Sequence, residues 1–206
     1  MKTIGVLSQK GGAGKTTLTL HWAVVAQASG LTVAVIDSDS QASAVKWAQR
    51  RQEDTPAVLQ VGERQLADAV EACRREGIDR VFIDTMPRIE SPSTEAARLA
   101  DLVVIPCGPT VLDMEAIGDT IAITQRLQKP TVIVLNQCRH SSGINDQAAT
   151  VLQDYGLPIC PTFVMRRAAL EDAFIDGRAV VEVEPQGKGA TEICETWKWI
   201  EEQLKE

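Results

Sequence analysis

Along this chain, short apolar runs alternate with longer stretches whose apolar residues recur at helical spacing. "IGVLS", "LTVAVID", "RVFID", "LVVIP", "PTVIVLN" and "ICPTFVM" are rich in β-branched residues and nearly free of polar interruptions, the pattern of strands covered on both faces. Between them, 14–28, 41–52, 64–75, 113–126, 146–155 and 190–205 read as helices. The rhythm predicts an α/β fold: a doubly wound, mostly parallel sheet flanked by helices on both faces, with ligands gathered at the carboxyl ends of the strands. No long linker, low-complexity tract or repeat divides the chain, so a single domain over 1–206 is expected.

The most distinctive stretch is "LSQKGGAGKTTLTLHW", Leu7 to Trp22, which follows the first predicted strand and opens the first long helix. That context suits a phosphate-binding loop and makes the chain a P-loop NTPase in outline. Gly11, Gly12 and Gly14, with Ala13 between them, let main-chain N–H groups turn inward on an anion. The helix starting near Gly14 adds unpaired N–H groups and the positive end of its dipole. Lys15 would reach the β- and γ-phosphates of ATP, and the Thr16 hydroxyl, beside Thr17, would bind Mg²⁺. Charge-assisted hydrogen bonds of this sort contribute roughly 1.5–3 kcal/mol each.

The usual pattern, G-x-x-x-x-G-K-[ST], is met except that Gln9 stands where its first glycine belongs. The form here, K-G-G-x-G-K-T-T, resembles the deviant Walker A motif of the ParA/MinD family of ATPases, and the likeness extends nearly end to end. "SAVKWAQRR" resembles the short ParA type, and "RRAALEDAFIDGRAVVEVEPQGKGATEI" the closing pattern of the family. The resemblance implies that Lys15 contacts the phosphates of its own nucleotide. It also implies that Lys10 reaches across a homodimer, an ATP sandwich, to the phosphates held by the other subunit. A solvated loop charge is the alternative for Lys10.

Later strand ends carry carboxylates. "VAVIDSDSQ" ends with Asp37 and Asp39, and "RVFIDTMP" with Asp84. Mg²⁺ keeps several waters and takes few protein ligands, so a hydroxyl and a carboxylate suffice. Asp84 fits the Walker B carboxylate. The resemblance implies that Asp37 supports the Mg²⁺ and lysine network and that Asp39 orients the attacking water; each of the three aspartates could instead cap the following helix. Where the family has prolines, in D-x-D-P-Q and D-T-P-P, this chain has Ser40 and Met86, which loosens both loops. Asn136, ending "VIVLN", offers a donor and an acceptor to a purine edge, or serves as a turn residue. By resemblance it contacts adenine, with "PTFVMRR" as the other wall. Pro106, Pro109 and Asp113 resemble a segment near the dimer interface and receive no chemical role.

Composition then narrows what such an ATP switch could act on. With 44% hydrophobic and 24% charged residues, the chain can bury a substantial core. Five cysteines lack CxxC spacing and the start has no signal-peptide layout, so reduced thiols and a cytoplasmic location are expected. No apolar run approaches the ~18 residues of a membrane helix. "TEICETWKWIEEQLKE" carries more acids than bases, which disfavours an anionic membrane surface. A formal net charge of −7 requires any nucleic acid to meet a local basic patch.

ParA-like proteins bind DNA non-specifically as ATP dimers, and Arg139, Arg166, Arg167, Arg178 and Lys188 are the candidates, each also readable as an ordinary surface charge. Three readings follow. One is a nucleoid-associated ATPase that partitions a plasmid or chromosome with a ParB-like or small centromere-binding adaptor. Another positions a protein cargo such as an organelle, chemoreceptor cluster or secretion apparatus. The third is a nucleotide-dependent scaffold with little turnover. No arginine finger is evident, Arg88 being the nearest candidate, so slow basal hydrolysis is expected.

Overall fold

The apolar runs are unbroken because each strand feeds two cores. In the computed structural model, which describes residues 1–86, 91–140 and 143–205 with the side chains at 63 and 91–93 excepted, six parallel strands form one sheet. They are β1 (Lys2–Val6), β2 (Val33–Asp37), β3 (Ala57–Gln60), β4 (Arg80–Asp84), β5 (Leu102–Cys107) and β6 (Thr131–Leu135). Their order is β3-β2-β4-β1-β5-β6, so the chain builds one side of β1 and then the other. The crevice at the carboxyl end of β1 is therefore the switch point where α/β sheets place ligands. Arg88 lies outside the described residues.

Successive side chains point to opposite faces. Ile4, Val35, Phe82, Val104 and Val134 enter one core, with α1 (Lys15–Ala28) and α2 (Ser43–Arg50). Ile36, Ile83, Val103, Ile105 and Ile133 enter the other, with α3 (Leu66–Arg75), α4 (Ser91–Leu99), α5 (Val111–Ala116), α6 (Gly118–Arg126) and α7 (Ile144–Leu152). On the first face, α8 (Ala168–Asp172), α9 (Val180–Val183) and α10 (Lys188–Gln203) cover α1. Helix α1 is consequently buried on most sides, and Trp22 Nε1 donates to Thr196 Oγ1 of α10 at 2.9 Å. The apolar face of α10, with Ile193, Trp197 and Ile200, is thus occupied within the chain.

Several expectations need correction. "ICPTFVM" is not a strand: it runs beside β6 with isolated parallel bridges, Ile133 to Ile159 and Cys138 to Met165, because Pro161 has no N–H to continue a ladder. Strand β3 is not among the predicted strands because it is a four-residue edge strand whose residues are mostly exposed, too short to give an apolar run. Helix α4 was missed too, in "SPSTEAARL". The stretch 113–126 is two helices, α5 and α6, meeting at Ile117.

One buried polar residue ties the outer strap to α1. His21 is fully buried; its Nδ1 accepts from the Val180 N–H at 3.2 Å, and its Nε2 lies 3.1 Å from the Leu170 carbonyl, which requires the Nε2–H tautomer. Burial drives its pKa from 6.5 down to about 4, with the Leu170 carbonyl opposing. The unfolded chain takes up this proton near pH 6.5 and the folded chain near pH 4. His21 therefore contributes stability that is complete above pH 6.5 and is lost as pH falls toward 4, by about 3 kcal/mol in all. We expect the His21 imidazole resonances to show no protonation above pH 5 in an NMR titration, and urea unfolding to show the corresponding loss.

Candidate functional site

The loop after β1 takes its shape from two glycines. Gly12 and Gly14 have φ of 78° and 89°, left-handed values that L side chains resist. A side chain at Gly14 would also have to occupy the place of the Asn136 amide. Gly14 ends the loop as the N-cap of α1, with no side chain capping the helix, so its first N–H groups face the cleft.

Lys15 is buried under this loop. Its Nζ donates to the Ser8 carbonyl at 2.9 Å and the Lys10 carbonyl at 3.4 Å. Burial lowers its pKa, while Asp84 and Asp39 oppose that shift. Thr16 Oγ1 donates to Asp84 Oδ2 at 2.6 Å. The other carboxylate oxygen, Asp84 Oδ1, is buried with no hydrogen-bond partner among the described residues. Burial pushes the Asp84 carboxyl up to about 7; the Thr16 hydroxyl opposes this, Asp37 adds to it, and Lys15 opposes it. A hydroxyl beside a carboxylate with one free oxygen is a donor set that Mg²⁺, which prefers oxygen and retains waters, fits.

Asp37 and Asp84 are register partners on β2 and β4, yet their surroundings differ. Both Asp37 oxygens are engaged by backbone amides: Asp39 at 3.0 Å, Ala44 at 2.9 Å and Val45 at 3.2 Å. Burial raises its pKa and those N–H groups oppose it. Asp37 thus satisfies the first turn of α2, the capping role open to it from sequence, and acts on the Thr16–Asp84 pair through its charge. Asp39 is partly exposed and lines a cleft of about 240 Å³ with Gly12, Lys15, Thr16, Thr85 and Gln137. Larger grooves, about 720 Å³ beside Arg50 and Arg178 and about 600 Å³ beside Lys2 and Lys129, lie away from these groups.

Lys10 behaves unlike Lys15. Its ammonium is over a third exposed and forms an ion pair with Asp113. Burial alone would raise the Asp113 carboxyl, but Lys10 and then Thr110 outweigh it and hold it below the usual range. Asp113 also completes a capping box with Thr110 at the start of α5. Sequence reasoning gave Asp113 no chemical role; T-V-L-D, a threonine with an acid three residues on, was the available signal for the cap but not for the ion pair.

Asn136 is buried, and its Nδ2 donates to the Ala13 carbonyl at 2.9 Å. Its neighbour Gln137, absent from the sequence reading, donates to the Gly12 carbonyl at 2.6 Å from a left-handed backbone, φ 54°. Two successive amides therefore strap two successive loop carbonyls. Beyond them, Met165, Arg166 and Arg167 form the far wall of a narrow gap over Gly14 and Thr17. The basic candidates separate. Arg167 is paired with Glu192 and Arg178 with Asp176, whereas Arg139, Arg166 and Lys188 are exposed and in no ion pair among the described residues.

The unpartnered Asp84 oxygen generates a prediction. Its carboxyl is raised in the fold, so the neutral form is favoured there: Asp84 costs nothing below about pH 4 and destabilises the nucleotide-free chain as pH rises through 7. Asp84→Asn should stabilise that chain at pH 8 by on the order of 2–4 kcal/mol, with the gain vanishing toward pH 4, as read by urea unfolding without Mg²⁺.

Comparison with known proteins places the chain. The maintenance of carboxysome distribution protein A of Halothiobacillus neapolitanus is 27% identical over 202 residues, covering 92% of this chain and 91% of that protein. Among solved structures, the cell division protein MinD of Aquifex aeolicus superposes with a TM-score of 0.80 at 17% identity, covering 97% of each chain. A Cyanothece McdA variant in complex with ATP superposes with a TM-score of 0.75 at 16% identity, covering 100% of this chain and 96% of that one. At such identities these structures carry the fold alone. Residues 4–180 match the profile of the CobQ/CobB/MinD/ParA nucleotide binding domain, and the chain belongs to that family.

Proposed function

We propose that this chain is a Mg²⁺-dependent ATP hydrolase that dimerises around ATP and uses the cycle to position a protein cargo. The observation that carries the reading is the conjunction under one glycine loop of a buried lysine, a hydroxyl and a carboxylate with a free oxygen. The loop amides from Lys10 to Thr17 and the dipole of α1 bind the phosphates, and Lys15 neutralises them. Thr16 and Asp84 would hold Mg²⁺, which when bound offsets charge on the phosphate oxygens. Asp39, at the cleft and engaged through Oδ1 by the Gln41 amide alone among the described residues, holds the attacking water. Asn136, Gln137 and the Met165–Arg167 wall take the base.

Lys10 is the dimer element. To reach the phosphates of a second copy it must leave Asp113, so each ATP dimer exchanges an internal ion pair for one across the interface. The cargo reading rests on the relative named for carboxysome distribution, which favours a protein assembly over a plasmid or chromosome region. Partition with a ParB-like adaptor is the second reading. In both, the dimer rides on non-specific DNA of the nucleoid, and doubling Arg139, Arg166 and Lys188 multiplies weak phosphate contacts. A membrane surface is disfavoured because the apolar face of α10 already packs on α1.

The test is light scattering and turnover with Mg·ATP. The wild-type chain should dimerise, and Asp39→Ala should dimerise while losing turnover by on the order of 10²-fold or more. Lys10→Ala should bind ATP but remain monomeric. A Lys10→Ala chain that dimerises like the wild type would remove the sandwich. Fluorescent fusions that stay on the nucleoid only when Arg139, Arg166 and Lys188 are intact would support the DNA matrix.

A further inference from the structure

The wall on the base side of the site has few polar attachments among the described residues. Residues 165–167 follow the irregular stretch beside β6 and precede the five-residue α8, and they face a gap that leaves only about 40 Å³ against Gly14 and Thr17, close to the space one water occupies. A displacement of an ångström there changes the fit of any ring that enters. Besides the Arg166 N–H bond to the Cys138 carbonyl at 2.9 Å and the packing of the Met165 side chain against the core of the second sheet face, the polar restraint on the segment among the described residues comes from Glu192 of α10.

Glu192 Oε2 accepts from the Met165 N–H at 3.1 Å and from Arg167 Nε at 3.0 Å, while Oε1 accepts from Arg167 Nη2 at 2.5 Å. The pair is well shielded, with side-chain exposures of 18% for Arg167 and 14% for Glu192. A fork of this kind fixes orientation as well as distance. One turn earlier, Gly189 leaves room for Arg167: a Cβ there would stand 3.3 Å from Arg167 Cδ. Helix α10 thus provides both the space and the carboxylate that seat the wall.

We propose that Glu192 is a positioning residue for nucleotide base recognition, acting through the Met165 amide and the Arg167 guanidinium. This rests on the nucleotide reading above. It makes Arg167 part of the site's scaffold rather than a free surface charge, and it divides the ligand: the phosphates are bound by the loop, which Glu192 does not touch, and the base by a wall that Glu192 holds.

That division supplies the test. Mg·ATP and Mg·pyrophosphate are titrated calorimetrically into the full chain and into Glu192→Gln, with melting temperatures recorded for each. We expect Glu192→Gln to lose about tenfold in ATP affinity, 1.4 kcal/mol, and to bind pyrophosphate within about twofold of the wild type. Arg167→Gln should reproduce this, and the double variant should be no weaker than either single one. Glu192→Asp, which keeps the charge, should recover part of the loss. ATP affinity unchanged in a folded Glu192→Gln chain overturns the proposal. So does an equal loss for ATP and pyrophosphate, the mark of a merely structural role. If Glu192→Gln fails to fold, Arg167→Gln and Glu192→Asp decide by the same two ligands. A wild-type chain that binds neither ligand refutes the nucleotide reading itself.

Discussion

Asp84 ends a central strand with no exposure to water, one oxygen bonded to Thr16 and the other to nothing among the described residues. Removing a carboxylate from water costs several kcal/mol unless hydrogen bonds or a cation replace its hydration, and here the replacement is half complete. Much of the surrounding architecture serves that charge. The loop after β1 must bring an ammonium and a hydroxyl from the start of α1 over the end of β4, which fixes where α1 begins and requires left-handed backbone at Gly12 and Gly14. Asp37 on the neighbouring strand adds a second carboxylate, made tolerable by three amide hydrogen bonds from the α2 side. The site is accordingly a cluster of buried charges whose hydration is only partly replaced by hydrogen bonds among the described residues.

The two lysines of the loop divide the labour by burial. Lys15 is enclosed and bound to loop carbonyls, so it can act only on what sits directly over the loop. Lys10 is on the rim, in an ion pair with Asp113 that also caps α5. A partly exposed ion pair is worth little in itself and can be exchanged readily, which suits the partner exchange proposed for Lys10. The same segment carries Val111 and Leu112, 64% and 71% exposed, so apolar surface flanks the exchangeable charge.

The fold was legible wherever a strand is buried on both faces, because an unbroken apolar run can hardly arise otherwise. β3 was not, since its residues mostly face solvent, and neither was the irregularity of "ICPTFVM", where Pro161 breaks a composition that otherwise reads as strand. At the site, Lys15, Thr16 and Asp84 are candidates from their spacing around strand ends, and the fold brings the three together under one loop. The allocation of partners was only partly legible: Asp37 taking up α2 amides is a local cap its sequence position leaves open, whereas the pairings of Lys10 with Asp113 and of Arg167 with Glu192 join residues 103 and 25 positions apart, which no local pattern encodes. Gln137 was invisible for a further reason, since its role comes from a left-handed backbone that glutamine seldom adopts.

In the proposed function, the loop after β1 binds the phosphates of a nucleotide through Lys15. Equilibrium binding of Mg·ATP to the wild-type chain and to Lys15→Met tests it most directly. We expect one ATP per chain and a loss on the order of 10²-fold in affinity for the variant, as when a buried charge-assisted contact is removed. ATP binding that is equally tight in Lys15→Met would contradict it.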